Sequence, residues 1–293
     1  MKHMSATSPQ ASPPGKQLRR EPRNPGDYWI VKSTKRDVSP PKEGQAFSRS
    51  GLPAHSGTNA VFRWIPAGTF QMGSTTETDP DRFEDETSHE VTLTQGFWLL
   101  DHEVTQQEYR DIKGEDPSYY QGKDDHPVEN VRWADANDFC KKLTDKDLKE
   151  GRISPNQRYR LPTEAEWEHA CRALTKGAVY VDYKDRDREL RAIAWSGEGP
   201  FGETHSVKQK LPNAFGLYDM IGNVQEWCYD RYGAYGSDPA VNPKGASSGS
   251  NRVFRGSSFV EDGRSARSAA RGYDSPVVRD NRLGFRPALS SSE

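Results

Sequence analysis

Apolar residues in this chain fall into short strand-like alternations and a few stretches of helical spacing, with long polar segments between them. Residues 61–74 (VFRWIPAGTFQMGS) are two β-rich pieces broken by Pro66-Ala67-Gly68, a pattern that predicts a hairpin. In residues 90–100 (EVTLTQGFWLL), Val91 and Leu93 alternate with Thr92 and Thr94 ahead of the apolar Phe97-Trp98-Leu99-Leu100, which predicts another strand. Thr105 and Glu108 have the spacing of a capping box, in which hydroxyl and carboxylate satisfy free amides of the first turn. A helix should therefore run through Tyr109 and Ile112. Ala136, Phe139, Cys140 and Leu143 follow i, i+3, i+4, i+7 and mark one face of a second helix. Thr163 and Glu166 form another capping box before Trp167, Ala170, Cys171 and Leu174, which repeat that spacing.

The polar segments read as loops. Residues 75–89, with Glu77, Asp79, Asp81, Glu84, Asp85 and Glu86, match no calcium-loop template and predict a solvated acidic loop. In residues 210–228, Gly216 and Gly222 supply turns between aromatic and aliphatic anchors. The ends of residues 252–287 look architectural: Arg252-Val253-Phe254-Arg255-Gly256 alternates as a strand into a turn, and Leu283-Gly284-Phe285-Arg286-Pro287 closes on a core strand. The residues between follow no period, as expected of irregular surface structure. Arg264, Arg267, Arg271, Arg279, Arg282 and Arg286 are spaced through this stretch as if pinning loops to the body.

Composition narrows the class. Of 293 residues, 32% are hydrophobic and 29% charged, with a mean hydropathy of -0.97, which describes a loop-rich soluble chain. A net charge of -2, from 41 basic and 43 acidic residues, gives no electrostatic case for nucleic acid. No stretch has the apolar length of a membrane span. Residues 1–25 have the composition of a disordered tail or tag, and Met1 to Met4 read as a cloning remnant. Residues 26–59 read as an arm or linker, with one short strand at Tyr28-Trp29-Ile30-Val31 and an apolar patch able to dock. Globular structure should occupy residues 60–289. Cys140, Cys171 and Cys228 are too few and too scattered for a disulfide framework or a zinc pattern, and read as small buried residues.

Taken together, FRWIPAGTFQMGS (62–74), EVTQQEY (103–109), PVENVRW (127–133), RLPTEAEWEHA (160–170), NAFGLYDMIGNVQEW (213–227) and the RVFRGSSF…GFRP frame resemble the formylglycine-generating-enzyme (sulfatase-modifying-factor) superfamily over about residues 60–288. The resemblance implies an α+β chain with a C-type-lectin fold of that type: a small antiparallel sheet, two helices and extensive irregular structure. Members that oxidise a substrate cysteine use a cysteine pair with copper shortly after the Gly-Gly-Ser-aromatic motif, since thiolates are soft ligands for Cu(I). The matching run here, residues 256–266, contains no cysteine, so catalysis of that kind is not expected.

A second branch, the variable proteins of diversity-generating retroelements, fits better. There, adenine mutagenesis scatters Asn codons near the C-terminus among Asp, Ser, Gly, Tyr, Val and Phe. That palette marks Phe254, Val260, Asp262, Ala270, Gly272, Tyr273, Asp274, Val277, Val278, Asp280 and Asn281 as variable ligand-binding positions within residues 252–287. Glu261 belongs to the same set but departs from the pattern, because an Asn codon cannot reach Glu by adenine changes; it derives from a Lys codon or is fixed. The implied function is a receptor- or adhesin-like protein that binds a protein or another cell-surface molecule. Such a protein would be displayed on the cell surface by an N-terminal lipid anchor removed from this chain. The alternative is a metal-dependent oxidase with an iron site drawn from His89, His102, His126, His169 and His205, none of which stands in the H-x-x-x-H-x-E-like pattern of the superfamily's sulfoxide synthases. The resemblance implies no cofactor beyond a structural calcium at Asp219, Gly222, Val224 and Glu226. The competing reading has Glu226 bonded to its turn and Asp219 facing water.

Overall fold

A computed structural model describes residues 46–48, 60–181, 186–199 and 201–291. The tail expected over residues 1–25 and the short strand expected at residues 28–31 lie outside the described residues. Within them the chain forms three sheets and four helices. The first sheet contains β1 (Ala46–Ser48), β2 (Val61–Ile65), β5 (Phe97–Leu100), β12 (Ala288–Ser291) and β6 (Gln157–Arg160) in the order β1-β2-β5-β12-β6. The second runs β3-β4-β8, from β3 (Gly68–Met72), β4 (His89–Leu93) and β8 (Ala240–Val241). The third runs β10-β9-β7-β11, from β7 (Gln225–Arg231), β9 (Arg252–Arg255), β10 (Arg271–Asp274) and β11 (Leu283–Gly284). Two of the pairings, β8 with β4 and β11 with β7, are parallel.

Residues 61–74 do not form the expected hairpin with each other. Ile65 pairs with Phe97 and Gly68 with Leu93, so both pieces pair with residues 89–100, which themselves split into β4 and β5. The result is one ribbon bent between two sheets. Its corner has Pro66, which lacks a ladder N–H, opposite Gly96, where an added Cβ would sit 2.3 Å from the Trp64 ring. β1, within the segment expected to be an arm, adds to the edge of β2, while the arm's apolar patch lies outside the described residues.

The helices are α1 (Gln106–Lys113), α2 (Trp133–Lys149), α3 (Glu164–Arg172) and α4 (Arg186–Ile193). Both expected capping boxes are present, with Thr105 accepting from Glu108 and Thr163 from Glu166. The third helix stops short of Leu174: Ala173 turns left-handed, its amide donates to His169 O, and Leu174 is left exposed. Residues 75–89 are not simply solvated either. Asp79 and Glu86 are buried against Arg267, whose guanidinium donates to both Glu86 oxygens at 2.6 and 2.9 Å and to Asp79.

The third sheet divides the interior. Cys228 and Val253 face a core with Trp167, Met220 and Leu217, while Trp227 faces one with Phe139, Tyr109 and Phe285. Buried arginines tie the loops to this frame. Arg286 donates to Glu226 at 2.6 and 2.7 Å and to the carbonyls of Leu100, Tyr218 and Asp219; Arg255 joins Glu164, Glu168 and Ser268 O.

Candidate recognition face

Strand alternation sends successive side chains to opposite sides of the third sheet. Register pairs Trp227 with Phe254, Phe254 with Gly272, and Arg252 with Asp274. Phe254, Gly272 and Asp274 therefore share one face with Arg252 and Trp227. The Phe254 ring meets Trp227 edge-on at 6.0 Å. At the border, the Arg252 guanidinium lies 3.7 Å over the Trp133 ring and its NH1 donates to Tyr229 O. Tyr229 stands partly exposed beside Trp133.

Two loops rim this face. In residues 275–282, Arg279 donates to Asn130 O at 2.6 Å and pairs with Asp135, while Asn130 N donates to Asp280 O. Asp280 accepts from the Arg282 amide and guanidinium, which holds its carboxyl below the usual range. In the other loop, Glu261 accepts from Ser258 Oγ, from Gln225 Nε2 at 2.9 Å and from Arg282 at 3.4 Å. The loops meet at Tyr120, whose hydroxyl accepts from Asn281 Nδ2 and whose ring meets Phe259 edge-on at 5.9 Å, the hydroxyl also donating to Gly202 O. Glu129 lies beneath. One oxygen accepts the Tyr120 amide at 2.8 Å, the other is buried without a hydrogen-bond partner, and burial pushes its pKa up to about 7.

The expected positions thus divide. Phe254, Gly272 and Asp274 lie on the sheet face, and Val260, Glu261, Val277, Val278, Asp280 and Asn281 belong to its rim. Val277 is 71% exposed, whereas Glu261 and Asp280 are engaged in holding their own loops. Tyr273 points away from that face, the strand period placing it opposite Gly272 and Asp274. There it stacks on Tyr232 at 3.9 Å with Arg271 over Tyr232. Asp262 is exposed in a separate turn, accepting from Arg264 N. Ala270 is a correction: it is buried in the body and cannot touch a ligand as the chain stands. Trp133, Tyr229 and Arg252, which meet one another, and Tyr120, which meets Asn281 and Phe259, are not legible in the sequence because nothing in their local spacing shows these contacts.

The residues expected to hold calcium are engaged with other parts of the chain. Both Glu226 oxygens accept from Arg286, and one also from Trp167 Nε1, so its charge is already balanced by the guanidinium. Asp219 does not face water: it is buried, and one oxygen accepts Lys208 N while the other has no hydrogen-bond partner. Gly222 turns with φ +83 against the Trp195 backbone, and Val224 N donates to Glu103. Glu103 is itself raised well above a normal carboxyl by burial and by Asp219 and Glu226. The five histidines do not converge. His89 contacts Thr87 O, His102 lies between Asp101 and Glu108, His126 meets Thr204, His169 meets Pro66 O, and His205 pairs with Glu198. Among the described residues no group of three or more His, Cys, Asp or Glu side chains could hold a metal ion. Cys140, Cys171 and Cys228 are free, buried thiols, each with its pKa raised by desolvation.

A lectin-like scaffold with a loop-rimmed sheet face near its C-terminus defines the class. The model of the sulfatase-modifying factor enzyme 1-like domain matches residues 51–291, and the chain belongs to that family. It is 31% identical to the solved structure of Treponema denticola variable protein 1, with a TM-score of 0.70, covering 79% of this chain and 95% of that one. It is 35% identical over 182 residues to the formylglycine-generating enzyme of Streptomyces coelicolor, covering 57% of this chain and 54% of that protein. It is 34% identical over 179 residues to the inactive C-alpha-formylglycine-generating enzyme 2 of Mus musculus, covering 56% of this chain and 49% of that protein. The chain spans about half the length of the curated relatives it matches. Among the described residues no helix is long and apolar enough to cross a membrane.

Proposed function

We propose that the chain is a ligand-binding variable protein of the retroelement-diversified kind, displayed on a cell surface through an N-terminal lipid anchor. Its partner would be a protein or another cell-surface molecule. The observation that carries this reading is the division of labour in residues 252–287. Arg255, Arg267 and Arg286 are buried and hydrogen-bonded to the body, while Val277 projects into solvent from the rim of one sheet face and Val260 and Val278 are half-exposed there. Loops clamped in this way lose little conformational entropy when a partner docks. Apolar side chains carried in the same segment as Asp274 and the stacked Arg252 supply the mix of apolar contact and hydrogen bonding that paratopes use.

Formylglycine generation is the competing activity, because relatives are named for it. Residues 256–266 contain no thiol, and all three cysteines are buried with raised pKa values, so a soft copper site has no ligands there. The test is an array of cell-surface proteins probed with the wild type and a Val260, Val277, Val278→Ser variant, with a Leu211, Val241→Ser variant altering exposed residues elsewhere. Binding should fall by about ten-fold or more in the first variant only. Equal binding by all three, or formylglycine formation on a cysteine peptide, would refute the reading.

A further inference from the structure

The two opposing positions Phe254 and Gly272 do not behave as independent surface sites. They are direct cross-strand partners, and β10 is an edge strand. A Cβ built on Gly272 would lie 2.0 Å from Phe254 Cε2, 2.5 Å from Cζ and 2.7 Å from Cδ2. The ring of Phe254 therefore occupies the space in which a side chain at residue 272 would stand. The backbone is no obstacle, since Gly272 is not among the residues with positive φ. On its other side the ring meets the edge of the buried Trp227. An aromatic ring that covers a glycine on an edge strand shields the bare backbone and packs the pair.

We propose that residues 254 and 272 form one specificity determinant, in which the side chain at 272 sets whether the side chain at 254 lies flat on the sheet or projects to a partner. With glycine at 272, the ring lies down and presents a smooth aromatic surface beside Arg252 and Trp133, suited to a planar or apolar group on a protein partner. Any larger residue at 272 lifts the ring off Trp227 and turns it into a protruding anchor at the cost of that packing, unless residue 254 is itself small. The number of distinct surfaces this face can show is then lower than the product of the choices at the two positions. The packing half stands on geometry alone, and the specificity half rests on the ligand-binding reading above.

Two experiments separate them. In the first, Gly272→Ala, Phe254→Ala and the double variant are compared by thermal unfolding and by Trp fluorescence. Gly272→Ala should lower the melting temperature and alter Trp emission in the wild-type background. In the Phe254→Ala background it should do neither, because the ring is gone. Equal effects in both backgrounds, including a double variant that still fails to fold, would overturn the proposal. In the second, a surface-displayed library randomised only at 254 and 272 is sequenced after sorting for folded display and again after panning on immobilised lysozyme as a probe protein. Large residues at both positions should be depleted on the order of ten-fold or more below the product of their single frequencies, the size expected from overpacking. Panned clones should favour particular pairs and not particular single residues. Free combination after sorting overturns the packing claim. Depletion after sorting with no pair preference after panning overturns the specificity claim alone, and an absence of binders together with intact depletion counts against the ligand-binding reading itself.

Discussion

Arg286→Met tests whether the C-terminal loops are held from inside. In the wild type the guanidinium is fully buried and donates to Glu226 through two nitrogens at 2.6 and 2.7 Å, and to the carbonyls of Leu100, Tyr218 and Asp219 at 3.2, 2.9 and 3.2 Å. Methionine keeps much of the volume but leaves Glu226 with the Trp167 indole N–H, beside two further buried acids, Asp219 and Glu103. Breaking a buried pair from one side costs about 3–5 kcal/mol, because the remaining charge is stranded. For a domain of this size that corresponds to a melting temperature lower by roughly 6–20 °C. Urea denaturation followed by Trp fluorescence supplies the free energy. The double variant Arg286→Met, Glu226→Leu removes both charges and should be less destabilised than the sum of the two single variants, by about 2 kcal/mol or more. A loss under about 1 kcal/mol for Arg286→Met, or additive single effects, would refute the idea that this pair anchors the frame.

Two further outcomes follow from burial. Burial pushes Glu129 in the folded chain up to about 7, against about 4.5 for an ordinary exposed glutamate, so between those pH values the folded state holds the extra proton and stability falls as pH rises. Glu129→Gln should therefore flatten the pH dependence, with an advantage over the wild type that grows from about pH 4.5 to about pH 7. It should level off on the order of 3 kcal/mol, and a constant difference across that window would contradict the assignment. The thiols give the second: Cys140, Cys171 and Cys228 are buried and their pKa values are raised, that of Cys171 to about 12. A thiol reagent at pH 8 should label the native protein only as fast as it opens and all three cysteines at once in denaturant, and rapid native labelling would show a reactive thiol that this account lacks.

Local chemistry was readable in the sequence and long-range pairing was not. The capping boxes at Thr105 and Thr163 are written within four residues, and both formed. The apolar faces of α2 and α3 were legible for the same reason. Leu174 misled because apolar spacing continues past a helix end that Ala173 sets by turning left-handed. The bend between β2 and β3 was hidden because a three-residue break is compatible with either a hairpin or a corner, and only the partner strand decides. Arg267 and Glu86 are separated by 181 positions, so no spacing rule could turn the acidic loop into a buried ion pair. At the candidate face, Asp262, Tyr273 and Val277 are exposed, Ala270 is buried and the other expected positions are half-buried, and which side of the sheet each occupies depends on register. That is why Tyr273 was grouped with residues it points away from, and Ala270 with residues more exposed than itself.

The central claim, a fixed frame carrying a rewritten face, is tested most directly by sequencing the genomic DNA downstream of the coding region. The account predicts a near-copy of the segment encoding residues 252–287 beside a reverse-transcriptase gene. That copy should hold adenines at the codons for Val260, Gly272, Asp274, Val277 and Val278, and be identical at those for Arg255, Arg267 and Arg286. A locus without such a copy, or one differing from the coding segment at the buried arginine codons as freely as at the face, would contradict it.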